Sequence, residues 1–202
     1  MTPDGQLDLS LPGASTAAEA LEFCSLADLE AGLDGIRAAP RDQGSVRLIV
    51  RRPTANTRET LQEGQLDAAE GLVGDSWKAR GYSKNPDGSA HLDMQITVMN
   101  VRVIALLAKD PARWPLAGDQ LFVDFDLSET NAPAGTRLAL GSSIIEVTAL
   151  PHTGCQKFRA RFGDHALKFV NSPEGKQLRL RGINARIVQP GVVRVGDVIE
   201  KL

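Results

Sequence analysis

The stretch LPHTGCQKFRARFGDHAL, residues 150–167, places a cysteine among cationic side chains. Cys155 is one of two cysteines in a chain of 202 residues, and it follows His152 by three positions. Gly154 allows a sharp turn before the thiol, and the residues after it favour a helix. A helix N-terminus and nearby cations stabilise a thiolate relative to a thiol. The pattern therefore predicts a reactive Cys155, as a nucleophile or as a ligand of a soft metal.

Basic side chains are concentrated around this cysteine. Residues 152–186 contain eight Lys and Arg against two Asp and Glu, whereas the rest of the chain contains 15 against 23. The concentration predicts a local anion site, although a solvated basic surface has the same composition. If the site exists, one pocket should hold Lys157, Arg186 and at least one of Arg159, Arg161 and Arg181.

The two other candidates for chemistry are His152 and the second cysteine. His152 could orient the loop or carry a proton. A Cys–His hydrolase would need a third group to orient the histidine, and the sequence offers none. Cys24 has nothing nearby to activate it and is expected to pack as a small hydrophobic side chain. An inert, buried thiol is also the alternative for Cys155.

Composition excludes several functional classes. A net charge of −2 is untypical of a general nucleic-acid or membrane-surface binder. No apolar run approaches the roughly 20 residues of a membrane span, and the N-terminus lacks the pattern of a secretory signal. Two cysteines form no disulfide framework, so the expected compartment is the cytoplasm.

The elements that must position these residues are mostly short strands. VRLIVRRP, MQITV and QLFVDF have strand patterns, and TRLALGSSIIEVTAL predicts a hairpin that turns at Gly141–Ser142. Only short helices separate the strands, so the sequence predicts a mainly β fold, a closed or nearly closed β-barrel. Residues 15–38 are predicted to be helical, with Ser25 as an N-cap. We therefore expect an N-terminal helical extension, residues 1–45, and a barrel domain, residues 46–202.

One feature of the last strands bears on the site. The hydrophobic alternation in LRLRGINARIV changes phase across Gly182. A β-bulge at that glycine would produce this change, and bulges are frequent near functional sites. The bulge would direct Arg181, Asn184 and Arg186 towards a pocket mouth; the alternative is that they face solvent.

Five segments occur in order along the chain: GLVGD (71–75), HLDMQITVMN (91–100), AGDQLFVDFDLSE (117–129), LPHTGCQKFRARFG (150–163) and RGINARIVQPGVVRVGD (181–197). Together they resemble the MOSC domain family, named for the C-terminal domain of molybdenum cofactor sulfurases. The resemblance covers roughly residues 46–202 and implies a β-barrel of the pyruvate-kinase-insert type, with Cys155 in the place of the family's cysteine.

The resemblance implies roles for individual residues. The family's cysteine is proposed either to carry sulfur as a persulfide or to ligate molybdenum in a pyranopterin cofactor, whose terminal phosphate suits Arg and Lys. Cys155 and His152 are then the expected catalytic residues, and Cys155 is also the molybdenum ligand. The expected cofactor-binding residues are Lys157, Arg159, Arg181, Asn184 and Arg186.

Two functional classes follow from the resemblance. The first is a molybdenum-cofactor oxidoreductase that acts on N-hydroxylated compounds; the second is a sulfur carrier or cofactor-delivery module. A scaffold without activity is a third and weaker reading. The chain has no pyridoxal-phosphate domain and lacks the extra cysteines of relatives fused to an iron–sulfur domain. A redox or sulfur-donor protein is therefore the expected partner, rather than nucleic acid or a membrane.

Overall fold

The computed structural model describes residues 23–202, so residues 15–22 of the helical segment predicted for residues 15–38 lie outside the described part. The strands are β1 (Gln43–Arg51), β2 (Glu59–Leu61), β3 (Glu63–Asp67), β4 (Gly71–Leu72), β5 (Ile96–Asn100), β6 (Leu121–Asp124), β7 (Arg137–Leu140), β8 (Ser143–Val147), β9 (Ile183–Gln189), β10 (Gly191–Arg194) and β11 (Val198–Lys201). The α-helices are α1 (Leu26–Ala31), α2 (Leu33–Arg37), α3 (Trp77–Arg80), α4 (Val101–Leu107), α5 (Gln156–Asn171) and α6 (Pro173–Gln177). Two 3₁₀ helices span Leu92–Met94 and Pro111–Ala117. Across these residues no helix is both long and apolar enough to cross a membrane.

Seven strands close a barrel, which confirms the predicted fold class. Their order is β1, β11, β7, β8, β9, β5 and β6, and β6 pairs with β1 to complete the circuit. Every pairing is antiparallel except that between β5 and β6. The hairpin between β7 and β8 turns at Gly141–Ser142, as predicted, and pairs Leu140 with Ser143. Strands β3, β4 and β10 form a small separate sheet.

Alternating apolar side chains fill the barrel. In β9, Ile183, Ala185 and Ile187 are buried in the barrel core, whereas Arg186 between them is exposed. This period of two residues is that of a strand with one face on a core. The barrel interior is therefore a packed hydrophobic core.

A second hydrophobic cluster lies between the helices and the barrel. It contains Leu29 and Leu33 from the first two helices, together with Phe158 and Phe162 from α5. Ser25 caps α1, as predicted, because its side chain accepts a hydrogen bond from the Asp28 amide at 3.2 Å. The helices before β1 thus share their core with the helix that follows Cys155.

The helical prediction after Cys155 is confirmed. Helix α5 is broken at Gly163, which has φ 89° and ψ 173°. A Cβ at this position would lie 2.8 Å from the ring of Phe23. Glycine is therefore required at the break for both backbone conformation and space.

The predicted bulge at Gly182 is wrong. Leu178 and Leu180 lie in the turns that follow α6, and β9 begins only at Ile183. Gly182 has φ 98°, and a Cβ there would lie 2.3 Å from the carbonyl oxygen of Val98. The apparent change of phase arises because the apolar pattern runs from a turn into a strand.

Candidate functional site

Cys155 lies at the predicted junction between loop and helix. It is the N-cap residue of α5, with φ −119° and ψ 177°, and its carbonyl oxygen accepts the Arg159 amide at 3.0 Å. Its side chain makes no capping hydrogen bond and is exposed. The thiol is thus accessible, and it lies beside the first-turn amides that carry the positive end of the helix dipole.

The loop before the thiol is held by the far end of the same helix. Asn171 accepts a hydrogen bond from the Gly154 amide at 2.9 Å and donates one to the Gly154 carbonyl at 3.1 Å. A Cβ on Gly154 would lie 2.8 Å from Leu167 and 3.0 Å from Val170. Glycine is therefore needed for close packing against α5, whereas the sequence had suggested a need for a sharp turn.

The thiol lines a cavity of about 480 Å³, here named the Cys155 cavity. The segments that form it follow β1, β4 and β8 or precede β6 and β9. Its lining includes six cationic side chains, and His152 lies in the wall. The cations are Arg52, Arg58, Arg80, Lys157, Arg161 and Arg181.

Buried carboxylates fix two of these arginines. Asp75, fully buried, accepts hydrogen bonds from Arg52 Nε at 2.8 Å and Arg52 Nη2 at 2.9 Å, and also from the Arg52 amide at 2.9 Å. Asp119, also fully buried, accepts from Arg181 Nη1 at 2.6 Å. The Arg181 guanidinium lies over the ring of Phe158, 4.9 Å from its centre, in a cation–π contact. Both arginines are therefore preorganised before any ligand binds.

The other four cations have no carboxylate partner within residues 23–202. Arg161 donates to the Leu116 carbonyl at 2.7 Å, and Arg58 donates to the Pro115 carbonyl at 3.2 Å. Burial, together with the nearby Arg161 and Arg52 charges, lowers the pKa of Arg58. Six cations against two carboxylates leave an excess of positive charge, which favours an anionic ligand.

His152 is a neutral side chain of the cavity wall. Burial lowers its pKa from 6.5 to about 3, with a further lowering by the Arg181 charge, while Asp119 acts in the opposite direction. Its Nδ1 lies 3.4 Å from Asp119 Oδ1. A neutral imidazole can donate or accept one hydrogen bond at each nitrogen but carries no charge at neutral pH.

The structure brings together some of the predicted residues and separates others. Lys157, Arg161 and Arg181 line the Cys155 cavity, whereas Arg159 and Arg186 do not. Arg159 forms an ion pair with Asp164, and Arg186 pairs with Glu146 on the neighbouring strand at 2.5 Å. Asn184 is buried and does not line the Cys155 cavity; it lines two neighbouring cavities instead.

Sequence reasoning missed half of the cations, Arg52, Arg58 and Arg80, and both buried carboxylates. A signal for the carboxylates was present, since GLVGD and AGDQLFVDFDLSE each carry an Asp directly after a Gly. Arg52 directly follows an apolar strand and precedes Pro53, where a buried cation is easily overlooked. Nothing local marks Asn171 as the residue that holds the Gly154 loop.

Among the described residues no three His, Cys, Asp or Glu side chains cluster as a metal site. Among the described residues, a metal ion in the Cys155 cavity would have Cys155 as its thiolate ligand. The cations, in contrast, are suited to a phosphate or carboxylate group.

Comparison with known proteins bears on the family and on the fold. Residues 90–200 match the family model of the MOSC domain. The crystal structure of the YuaD protein from Bacillus subtilis resembles the chain with a TM-score of 0.58 at 16% identity, over 79% of this chain and 95% of that one. YiiM from Escherichia coli gives a TM-score of 0.50 at 20% identity, over 78% and 69%. At these identities the likeness concerns the fold alone. No curated protein gives a significant match.

Proposed function

The chain belongs to the MOSC domain family, because the family model covers more than half of it, and from this premise we propose that it binds a molybdenum pyranopterin cofactor at the Cys155 cavity. In this proposal the Cys155 thiolate is the protein ligand of the metal, and the arginines and Lys157 hold the anionic end of the cofactor. The observation that carries the proposal is an exposed thiol in a cavity lined by six cations.

The residues present fit such a cofactor. Thiolate is a soft ligand suited to a soft or borderline metal. Guanidinium groups bind phosphate through paired hydrogen bonds, and four of the cations have no carboxylate partner in the described part of the chain. The cavity volume of about 480 Å³ lies within the range of roughly 300–1,000 Å³ that is usual for small-molecule sites.

The proposed activity is reduction of N-hydroxylated compounds. When bound, the cofactor would supply the two-electron chemistry that removes the hydroxyl oxygen as water. The chain would supply the positive potential of Arg52 and Arg181, and the neutral His152 could donate or accept a hydrogen bond at the substrate. The electrons would come from a redox protein partner, and the proposed compartment is the cytoplasm.

Metal analysis tests the proposal. The protein is expressed in a host that makes the cofactor, and molybdenum and pterin are measured per chain in the wild type, Cys155→Ser and the control Cys24→Ser. We expect stoichiometric molybdenum in the wild type and in Cys24→Ser and its loss in Cys155→Ser. Arg58→Gln should reduce pterin content without removing the thiol. Absence of both molybdenum and pterin from the wild type would overturn the proposal.

The exposure of Cys155 also favours a second candidate, a sulfur carrier. An exposed thiol that lines a cavity could accept sulfane sulfur from a donor protein as a persulfide. Mass spectrometry of the protein after incubation with a persulfide donor distinguishes the two. An added sulfur on Cys155, together with no molybdenum, would replace the first proposal by the second.

A further inference from the structure

A second cavity, of about 320 Å³, adjoins the Cys155 cavity at His152, which lines both. We name it the Asn184 cavity. Its walls are residues 148–153, part of α6 with the turns that follow it, and the start of β9, together with Glu129 and Val170. Cys155 does not line it, so the two cavities present different chemistry on the described surface.

Much of the wall of the Asn184 cavity is apolar. The apolar side chains that line it are Ala149, Leu150, Pro151, Val170 and Ile183. A wall of this kind gains free energy from covering the apolar body of a ligand, and most small-molecule sites combine such walls with a few polar groups. The polar groups therefore decide which ligand fits.

Asn184 lines the cavity and carries a buried hydrogen-bond acceptor that has no partner in the described part of the chain. The residue is 1% exposed, its Nδ2 donates to the Leu150 carbonyl at 3.1 Å, and its Oδ1 has no partner within residues 23–202. Rotating the amide by 180° would place its oxygen against the Leu150 carbonyl oxygen, so this orientation is fixed. A buried acceptor without a partner costs free energy, which a ligand N–H or O–H would recover.

Two cations line the same cavity, opposed by one carboxylate. Lys176, Arg179 and Glu129 all line this cavity, and no ion pair within 4.0 Å joins either cation to the carboxylate in the described part of the chain. Arg179 Nη1 donates a hydrogen bond to the Ala132 carbonyl. Burial lowers the pKa of Arg179, although the Glu129 charge raises it. The lining thus keeps one excess positive charge, and an anion would offset the desolvation of Arg179.

The backbone of Arg179 supports a role for this side chain. Its φ is 48°, in the left-handed region that non-glycine residues seldom adopt. The next turn closes through a hydrogen bond from the Gly182 amide to the Arg179 carbonyl at 2.7 Å. A glycine would satisfy this turn at lower cost, and strained residues of this kind are concentrated at functional sites.

We propose that the Asn184 cavity binds a small carboxylate that has an apolar body and one hydrogen-bond donor. The carboxylate pairs with Lys176 and Arg179, the apolar body contacts Leu150 and Ile183, and the donor pairs with Asn184 Oδ1. This site is separate from the proposed cofactor site and does not depend on the function of Cys155.

Matched probes test each element of the proposal by calorimetry and ligand-observed NMR. The probes are 3- and 4-hydroxybenzoate, with benzoate as the control that lacks the donor and the methyl esters as controls that lack the charge. We expect at least one hydroxybenzoate to bind, and its controls to bind about tenfold more weakly, which is the loss expected for a hydrogen bond that involves a charged or buried partner. Absence of binding by both hydroxybenzoates would overturn the proposal.

Variants locate the bound probe. Lys176→Gln and Arg179→Gly should each weaken hydroxybenzoate binding about tenfold, and glycine is compatible with the left-handed backbone at position 179. Lys168→Gln and Cys155→Ser should leave binding unchanged, since neither residue lines the Asn184 cavity. If Lys157→Gln weakens binding and Lys176→Gln does not, the probe occupies the Cys155 cavity and the proposal is wrong.

The acceptor is tested by Asn184→Leu, which should make benzoate and the hydroxybenzoate bind equally. If this variant does not fold, the wild-type comparison of benzoate with hydroxybenzoate still decides the question. Equal affinities of the wild-type protein for benzoate and hydroxybenzoate would show that Asn184 does not accept a hydrogen bond from the ligand.

Discussion

Asp119 Oδ2 accepts a hydrogen bond from Arg181 Nη1 at 2.6 Å, and the side chains are 0% and 7% exposed. Removing one partner of such a pair leaves a charge buried without compensation. The pair therefore sets the position of one cation in the Cys155 cavity, and the fold cannot lose one partner without leaving the other charge uncompensated.

We expect Asp119→Ala to reduce the free energy of unfolding by about 3–5 kcal/mol, measured by urea denaturation. The control is Glu63→Ala, which removes the partner of Arg194 in an ion pair that is more than half exposed. That change should cost less than about 1 kcal/mol. Similar costs for the two variants would show that Asp119→Ala does not leave the Arg181 charge buried without compensation.

Cys155 should be alkylated faster than Cys24, because it is exposed while Cys24 is half-buried and donates to the Leu106 carbonyl at 3.3 Å. Cys24→Ser and Cys155→Ser each leave one thiol for measurement. The ratio of the alkylation rate with anionic iodoacetate to the rate with neutral iodoacetamide should be raised at Cys155 only. Added salt should reduce this ratio, because the cations are then screened. Equal rates at the two thiols would support the inert alternative.

The Gly154 loop should not tolerate a side chain. Gly154→Ala places a Cβ within 2.8 Å of Leu167 and should cost about 1–3 kcal/mol of unfolding free energy. Gly35→Ala is the matched control, since a Cβ at that helical position meets nothing within 4 Å and should stabilise the protein by roughly 0.5–1 kcal/mol. A neutral effect of Gly154→Ala would mean that the loop moves freely away from α5.

Asn171→Ala should change the alkylation rate of Cys155 through the loop that precedes the thiol. Loss of the two hydrogen bonds to Gly154 leaves its backbone groups without their partner. We expect the alkylation rate of Cys155 to change while that of Cys24 does not, because only the former depends on this loop. Unchanged rates at both thiols would show that α5 alone positions Cys155.

His152 should make stability depend on pH. Its folded pKa of about 3 lies below the ordinary 6.5, so the unfolded chain binds the proton first as pH falls. The stabilisation is complete above pH 6.5 and is lost between pH 6.5 and 3, at up to about 1.4 kcal/mol per pH unit. His152→Gln should flatten the urea-denaturation curve of stability against pH between pH 5 and 6.5, where carboxylates contribute least. An unchanged slope would contradict burial of a neutral His152.

The sequence was sufficient for features that depend on local pattern. Alternating apolar residues with short turns predicted a barrel, and the hairpin at Gly141–Ser142 followed from its turn residues. The placement of Cys155 before a helix followed from the helical pattern after it. These predictions succeeded because strand period, turn chemistry and helix capping are set by residues that are near each other in the chain.

Only the tertiary structure decided which charges meet at the thiol. Counting charge in residues 152–186 selected Arg186, yet its partner Glu146 lies 40 residues away on the adjacent strand. Arg52 enters the Cys155 cavity because Asp75 and the Gly118 carbonyl hold its guanidinium. Closure of the barrel and the register of its strands determine the distances between charged side chains that are far apart in the chain. Neither closure nor register can be read from the periodicity of the sequence. A charge pattern therefore identified a basic region, while long-range packing selected which of its members form the site.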